Sequence, residues 1–494
     1  MKTVIRFSEK VWSRIRDHHI QPGKRCETLS YVFARTTKAY DSTTILVAHD
    51  APVLLLDEDC FEKRSASSVH LKKAVLDQIL FQFAGTDFNT LINIHDHWFD
   101  SENTAFSRID DTDDQRFDQY LRDHFEPMLR EQSSFSVDRP IFNVSMVICD
   151  GGASARLVNT CKSDFFQPLD IQVIGDQFHC FPVSAGWSSA DDTPEWLNRH
   201  RDFIEPKQQH WLGLSEVLLV GAGGLGAILA ESLARLGIGA LIIVDPDLLD
   251  DSNLNRFQGG CPSDVGQQKV RILARRLKAM FPELKLSIHA LPVQDEVLED
   301  IFSRADFLIG GLDDDVTRYY LNAASVQYML PYFDGGVSVE TRPMVDFRSR
   351  LSVVLPGTSA CLQCSGVDVL DWAAIDEAYA HPATRSIKQS AGYVVDRPEI
   401  AAPSVYGLNM ACSAALMQEF TNYLCGWRPV TTNSLTEWRT NRHDRADRET
   451  YPSWPSEDCP NCGFRSGLGG EECLPRPLPQ SELAPSIEHF LNNF

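Results

Sequence analysis

Residues 216–257 read EVLLVGAGGLGAILAESLARLGIGALIIVDPDLLDDSNLNRF and decide the fold. The apolar run 217–220 has the character of a strand buried on both faces, which occurs where helices cover both sides of a parallel sheet. Gly221, Gly223, Gly224 and Gly226 follow as a turn, and 227–236 reads as a helix whose N-terminus faces that turn. Backbone N–H groups at such a helix start collect phosphate, so the unit is a nucleotide site on a βαβ frame. The next strand, 240–244, ends at Asp245, where a carboxylate can accept ribose hydroxyls.

A glycine turn alone suits NAD or FAD as well as ATP, and the residues beyond it separate these. Asn253, Asn255 and Arg256 come after the second strand, then Lys269, then a strand at 307–311 that ends in Asp313-Asp314-Asp315, with Arg318 and Asn322 on the following helix. A dehydrogenase does not need an Arg, a Lys and an acidic strand end at the phosphate end of its cofactor. Cleavage of ATP does, because cations neutralise the triphosphate while a carboxylate holds magnesium. On these residues the chain resembles the ThiF/MoeB-type adenylating domain of ubiquitin-activating (E1-like) enzymes, from about 196 to 465. The resemblance implies a Rossmann-type doubly wound α/β sheet that binds ATP and magnesium. It places Asp245 on the ribose, Asn253, Arg256 and Lys269 on the phosphates, and Asp313 on the metal, with Asp314 as its nearest rival. It also implies a homodimer in which Arg201, in RHRDFIEP, reaches the partner's site.

Cys361-Leu362-Gln363-Cys364 and Cys459-Pro460-Asn461-Cys462 form two CxxC pairs, enough thiolates for one closed tetrahedral zinc site. Their separation is too long for a compact finger and fits a staple between distant segments. The other nine cysteines lack framework spacing, and most are expected to be buried, reduced thiols.

In the first third, His95-Asp96-His97 follows the apolar run 91–94, Ser107 and Asp110 lie beyond, and Glu27 opens a candidate strand at 28–34. Two imidazoles and a carboxylate leave a zinc ion an open position for water, a second carboxylate can take that water's proton, and a hydroxyl can stabilise an oxyanion. The pattern resembles the JAB/JAMM (MPN) metalloproteases over residues 3–183, including a first helix at 8–20 and strands up to 178–180. Two departures stand out: Trp98 replaces the family proline, and the gap to Ser107 is about two residues longer than usual. Asp111, Asp113 and Asp114 are alternative ligands to Asp110. The resemblance implies an α/β domain with a second zinc ion, active as an isopeptidase or degenerate.

At 494 residues and 43% hydrophobic content the chain is long enough for two cores. A net charge of −22 disfavours nucleic acid and anionic membrane as partners. No apolar stretch has the length of a membrane span, and the thiols suit a reducing cytoplasm. The expected organisation is a JAB-like domain at 1–185, a linker near 184–193, an adenylation domain at 196–470 and a tail at 471–494. Between the first CxxC and the next helix, 365–403 holds no cysteine that could carry a transferred acyl group. Ser390, followed by Ala391-Gly392, is the candidate oxyester nucleophile and Ser386 the second, with Lys388 or His381 to activate them; Cys412 reads as helix core. The resemblances together imply adenylation of a ubiquitin-like protein for transfer to an E2-like carrier, as in bacterial conjugation operons including those of antiphage defence. A sulfur-carrier-activating enzyme, adenylation of another substrate and a non-catalytic modifier-binding scaffold are the alternatives.

Overall fold

The computed structural model describes residues 2–39, 42–65, 69–98, 103–131, 140–183, 194–341, 345–365, 370–380, 403–439, 447–450, 453–463 and 474. The expected linker at 184–193 lies outside them. The first large sheet uses β1 (Lys2–Ser8), β2 (Leu29–Ala39), β3 (Ser42–Val47), β4 (Val53–Leu55), β7 (Thr90–Asp96), β8 (Phe142–Cys149), β9 (Gly152–Val158), β10 (Phe166–Ile174) and β11 (Phe178–Phe181). Its order is β1-β3-β2-β7-β8-β9-β10-β11 with β4 beside β2, and β1 also pairs with β10, so the sheet curls back on itself. A separate hairpin joins β5 (Phe61–Arg64) to β6 (Val69–Leu71).

Every residue of β7 and β8 is buried because helices cover both faces of these strands. Helix α1 (Glu9–His19) lays Val11, Trp12 and Ile15 against Ile92, Ile94, Val144 and Met146. Helix α2 (Lys73–Ala84) packs Ile79, Leu80 and Phe83 on the other side, against Tyr31, Phe33 and Leu91. Helices α3 (Arg108–Tyr120) and α4 (Glu126–Glu131) follow before β8. The predicted first helix and the strands flanking the histidine pair are therefore present, with ends within one to a few residues of those read from sequence.

The second sheet comprises β12 (Glu216–Val220), β13 (Ala240–Val244), β14 (Lys285–His289), β15 (Phe307–Gly311), β16 (Tyr332–Glu340), β17 (Asp346–Val354), β18 (Asn433–Arg439) and β19 (Asp447–Thr450). Its order is β14-β13-β12-β15-β16-β17-β18-β19; the pairings from β14 to β16 are parallel and those beyond are antiparallel. Alternate side chains divide each buried strand between two cores: Val217 and Leu219 join one, Leu218 and Val220 the other. The first core takes helices α6 (Gly224–Leu236), α7 (Lys269–Met280) and α11 (Tyr406–Cys425). The second takes α8 (Asp300–Arg304), α9 (Asp315–Gln327) and α10 (Trp372–Tyr379). Strand order reverses between β12 and β15, and in open parallel sheets the crevice at such a switch point is where ligands bind.

The halves meet across a buried polar seam. The Arg6 guanidinium, 0% exposed, donates to Gln172 Oε1 at 3.1 Å, to Tyr328 O at 2.7 Å and to the carbonyl of Ala305. Gln172 in turn donates to Asp306 Oδ1 at 2.5 Å, and Asp306 Oδ2 accepts from the Glu216 N–H at 2.8 Å. Ile174 and Phe178 from the first sheet lie in the core beneath α6 and α11, joined there by Trp211 of α5 (Pro206–Leu212).

Cysteine burial departs from expectation. Cys149 and Cys412 are buried, but Cys161 and Cys261 are exposed and Cys26, Cys60, Cys180 and Cys425 are intermediate. Cys161 and Cys261 lie in polar turn segments outside the strands and helices, which is why they are not in the core.

Candidate functional site

At the switch point lies a cleft of about 260 Å³ lined by Gly221, Gly223, Gly224, Asp245, Asn253, Arg256, Lys269 and Asp313. The glycines serve different needs. Gly221 adopts φ +94°, a left-handed conformation that disfavours a Cβ, and a Cβ there would lie 2.5 Å from the carbonyl of Gly311. Gly226 does not line the cleft; its Cβ would sit 1.9 Å from the carbonyl of Gly221, so it lets α6 close against the turn. A Cβ on Gly223 would meet nothing within 4 Å, and this residue caps α6 with no side-chain hydrogen bond, leaving the first N–H groups of the helix toward the cleft.

Asp245 is buried and accepts from Ala222 N at 2.6 Å and Asp247 N at 2.8 Å, which ties the glycine turn to the end of β13. Burial raises its carboxyl above the usual range. Its remaining lone pairs are the ones a ribose would meet. Lys269, at the start of α7, is buried and held 2.7 Å from Asp247 Oδ2, so Asp247 aims the ammonium, a role not read from the sequence. Arg256 donates to Ser252 O at 2.9 Å and Asn255 Oδ1 at 3.0 Å, and its other N–H groups remain as donors. Asn253 accepts from Asp250 N through Oδ1 at 3.2 Å and keeps its NH₂.

The acidic triplet after β15 is divided by the start of α9. Asp314 is the N-cap, accepting from Val316 N at 3.1 Å and Thr317 N at 2.8 Å. Asp315 pairs with Arg318 at 2.5 Å. Asp313 makes no side-chain hydrogen bond or ion pair with the described residues. Arg318 and Asn322, on the helix after the acidic strand end, do not line the cleft. Arg318 is tied to Asp334 and Asp315, and Asn322 Oδ1 accepts from Leu362 N at 2.8 Å.

In the first half, ligand atoms of His95, His97 and Asp110 lie within 4.8 Å of one another. His97 Nδ1 is 2.9 Å from the carbonyl of Asn103, which can only accept, so the proton sits on Nδ1 and the Nε2 lone pair is the one a metal would take. His95 Nε2 is buried without a hydrogen-bond partner, 3.4 Å from Asp110 Oδ1. Ser107 and Asp110 form a capping box at the start of α3, so the SxxD spacing also orients the carboxylate toward the histidines. Asp111 and Asp114 pair with Arg156 instead, and Asp113 is exposed beside Arg116. Glu27 is pushed up to about 7 by burial and by the charges of Asp110 and Asp96. Asp96 itself is fully buried, accepting from His19 Nδ1 at 2.8 Å, Lys24 Nζ at 2.6 Å and Thr28 N at 3.1 Å. This clamp behind the histidine pair was not read from the sequence, although an Asp between two strand-end histidines hints at it.

The four sulfurs of Cys361, Cys364, Cys459 and Cys462 also lie within 4.8 Å of one another, with Cys361–Cys459 and Cys364–Cys462 separations of 3.7 Å. Tetrahedral zinc with Zn–S bonds of about 2.3 Å requires sulfur–sulfur edges of about 3.8 Å, so the set fits that ion. A disulfide of about 2.05 Å does not match these separations.

The ThiF family model matches residues 197–461, more than half of the chain. The chain belongs to the ThiF family. Among its relatives, the Nedd8-activating enzyme E1 catalytic subunit of Drosophila melanogaster is 33% identical over 156 residues, 30% of this chain and 34% of that protein. The SAMP-activating enzyme E1 of Haloferax volcanii is 32% identical over 163 residues, covering 33% and 57%. The probable adenylyltransferase/sulfurtransferase MoeZ of Mycobacterium tuberculosis is 36% identical over 123 residues, covering 25% and 31%. The chain thus spans between about a third and somewhat over half of the length of these relatives.

In this ThiF-family chain, Arg201 does not reach its own cleft. It is exposed just after the turn Glu195–His200, whose Leu197 and Trp196 pack on Gly237 and Phe281, at the far ends of α6 and α7. Helix α6 has 13 residues, about 20 Å at 1.5 Å each, so the turn that precedes Arg201 packs a helix length from the glycine turn. Ser390, Ser386, Lys388 and His381 lie outside the described residues. Cys412 is buried beneath α6 and β16, and burial pushes its thiol up to about 12, as expected of a core side chain. Among the described residues, no helix is long and apolar enough to cross a membrane.

The two glycine roles predict a separation of effects. Gly226→Ala should lower the melting temperature by several degrees, because a backbone carbonyl must move. Gly223→Ala should leave melting unchanged yet weaken ATP binding by about tenfold or more, since a methyl group enters the phosphate path. Thermal melts paired with ATP titrations check this; equal melting losses for both variants would sink the assignment.

Proposed function

We propose that the second half adenylates the C-terminal carboxylate of a ubiquitin-like protein in a bacterial ubiquitin-like conjugation pathway, and that the product passes to an E2-like carrier protein. The observation carrying this reading is the meeting of the glycine turn, Asp245, Arg256, Lys269 and Asp313 in one cleft of a ThiF-family chain. Asn253, Arg256, Lys269 and the α6 N-terminus hold the triphosphate, and Asp245 holds the ribose. Asp313 fits a magnesium ion, because its carboxylate has no partner among the described residues and faces the cleft. That ion supplies charge neutralisation at the phosphates. A carboxylate oxygen of the tail attacks the α-phosphorus, the bond from it to the bridging oxygen breaks, and pyrophosphate leaves with the electron pair. No proton transfer is required, so the residues act by orientation and by neutralising charge. Arg201, which does not line its own cleft, reaches this site from the second copy of a homodimer. Transfer proceeds through an oxyester on Ser390 or directly from the acyl adenylate.

In the same reading the chain divides into units at 1–185 and 196–470 with a tail at 471–494. The first unit is a JAB-like zinc isopeptidase that trims or removes the modifier. His95, His97 and Asp110 hold the zinc, which would supply an acidified water. With that ion bound, Glu27 would serve as the general base and the Ser107 hydroxyl would be the hydrogen-bond donor to the substrate oxygen. Cys361, Cys364, Cys459 and Cys462 would hold a structural zinc.

ATP–pyrophosphate exchange tests the central claim. Exchange should depend on a ubiquitin-like protein with a free C-terminal carboxylate and vanish when that carboxylate is amidated; exchange that ignores the tail would rule the reading out.

A further inference from the structure

Helix α11 presents Leu408, Cys412, Leu416 and Phe420 to the core, and the polar Asn409 interrupts that apolar set. Asn409 is 2% exposed, yet among the described residues its side-chain amide makes no hydrogen bond. Its neighbours on the helix behave differently: Asn422, equally buried, donates to Arg428 O and accepts from Arg428 N, both at 3.1 Å. Leaving a buried amide unpaired is costly, so such a group marks a place where something else provides the partner.

The cleft is where that partner must be. Asn409 lines it, and its amide nitrogen lies against the glycine turn, 2.4 Å from where a Cβ of Gly224 would stand, with Arg256 Cγ on the same spot. The helix start is fixed there by two bonds to the loop carrying Arg256: Asn255 Nδ2 donates to Ser404 O at 3.2 Å, and the Tyr406 hydroxyl to Gln258 Oε1 at 3.0 Å.

The sheet order gives the cleft two sides. Asp245 stands at the end of β13, the glycine turn follows β12, Asp313 follows β15, and Val337 belongs to β16, so these positions run across the sheet in that sequence. The ribose carboxylate occupies the β13 side and the phosphates the middle. Asn409, on a helix packed against α6 and β16, stands on the side left for the second reactant.

We infer that Asn409 binds the C-terminal carboxylate of the acyl donor and holds it beside the glycine turn for attack on the α-phosphorus. The inference rests on the adenylation reading above. The amide N–H donates to the carboxylate oxygen that does not attack, and the attacking oxygen keeps its lone pairs. A carboxamide suits this work because it adds a donor without the negative charge of an Asp, which would repel the tail.

The experiment uses the full chain, a panel of ubiquitin-like proteins with free C-termini, and the same proteins amidated. Wild type, Asn409→Leu and Asn409→Asp are compared for ATP affinity without acyl donor and for ATP–pyrophosphate exchange with it. Asn409→Leu should bind ATP within about twofold of wild type, which also reports that the cleft is folded, whereas the charge of Asn409→Asp also opposes the triphosphate, so its exchange is compared at saturating ATP. With Leu the exchange rate at subsaturating donor should fall by about 10- to 100-fold, the range for losing one hydrogen bond to a charged group. With Asp the fall should be larger. Normal exchange by Asn409→Leu would overturn the inference while leaving adenylation intact. Equal losses of ATP affinity and exchange would overturn it too, by placing Asn409 on the nucleotide. If wild type exchanges with none of the free C-termini, the adenylation reading falls and this inference falls with it.

Discussion

Asp313→Ala is expected to lower ATP–pyrophosphate exchange by about 10³-fold while Asp314→Ala leaves it within a few-fold of wild type, although the two residues are adjacent, identical and both exposed. The contrast comes from what each carboxylate already does. Asp314 spends its two oxygens on the N–H groups of Val316 and Thr317. Removing it uncaps α9 at a cost of about 1 kcal/mol, visible as a lower melting temperature. Asp313 makes no such bond with the described residues and lines the same cleft as Lys269 and Arg256, so its loss should remove metal-binding charge with little effect on the fold. Magnesium titrations of both variants, run beside thermal melts, separate the two roles. If Asp314→Ala proved the inactive variant, the metal carboxylate would have been assigned to the wrong residue.

Cys459→Ser is expected to abolish zinc binding at the four-cysteine cluster and to destabilise the second half by more than about 5 kcal/mol. Structural zinc contributes on the order of 10 kcal/mol in small zinc domains, and part of that is retained here by packing. The cluster joins Cys361 and Cys364, just after β17, to Cys459 and Cys462 near the end of the matched family region. Cys361, Cys459 and Cys462 are buried in the same core as Val354, Ile375 and Leu474, so the metal and the apolar packing hold the same segments. Asn322 adds a bond from α9 to the first knuckle through Leu362 N. Metal analysis of the purified chain, in wild type and variant, gives the stoichiometry, and chelator-dependent melting gives the energetic effect. Full stability with no zinc at these sulfurs would show that the cluster is only a group of packed thiols.

The legible parts of this protein are short-range patterns. The glycine turn, the two CxxC pairs and the HxH at a strand end all carry their meaning within a few residues, because a turn or a knuckle is a local geometry. The same holds for β12 and its neighbours, whose uninterrupted apolar runs announce a sheet covered on both faces. The expectation of buried thiols failed for Cys161 and Cys261, which sit in the polar turn segments Asn159-Thr160-Cys161-Lys162 and Gly260-Cys261-Pro262-Ser263 and are exposed.

Selection among equivalent residues was illegible. Which carboxylate of Asp313, Asp314 and Asp315 stays free depends on where α9 begins, and which of Asp110, Asp111 and Asp114 faces the histidines depends on Arg156 arriving from β9. The clamp on Asp96, the Arg6 seam and the unpaired amide of Asn409 require contacts between residues far apart in the chain. Thus the order of residues by itself determined the doubly wound sheet of the second half, the glycine turn and the pairing of the CxxC and HxH motifs, since each follows from local backbone geometry and side-chain periodicity. Only the tertiary structure decided which polar groups are already satisfied by the protein and which still face the cleft, because hydrogen-bond partners are assigned by packing across the fold.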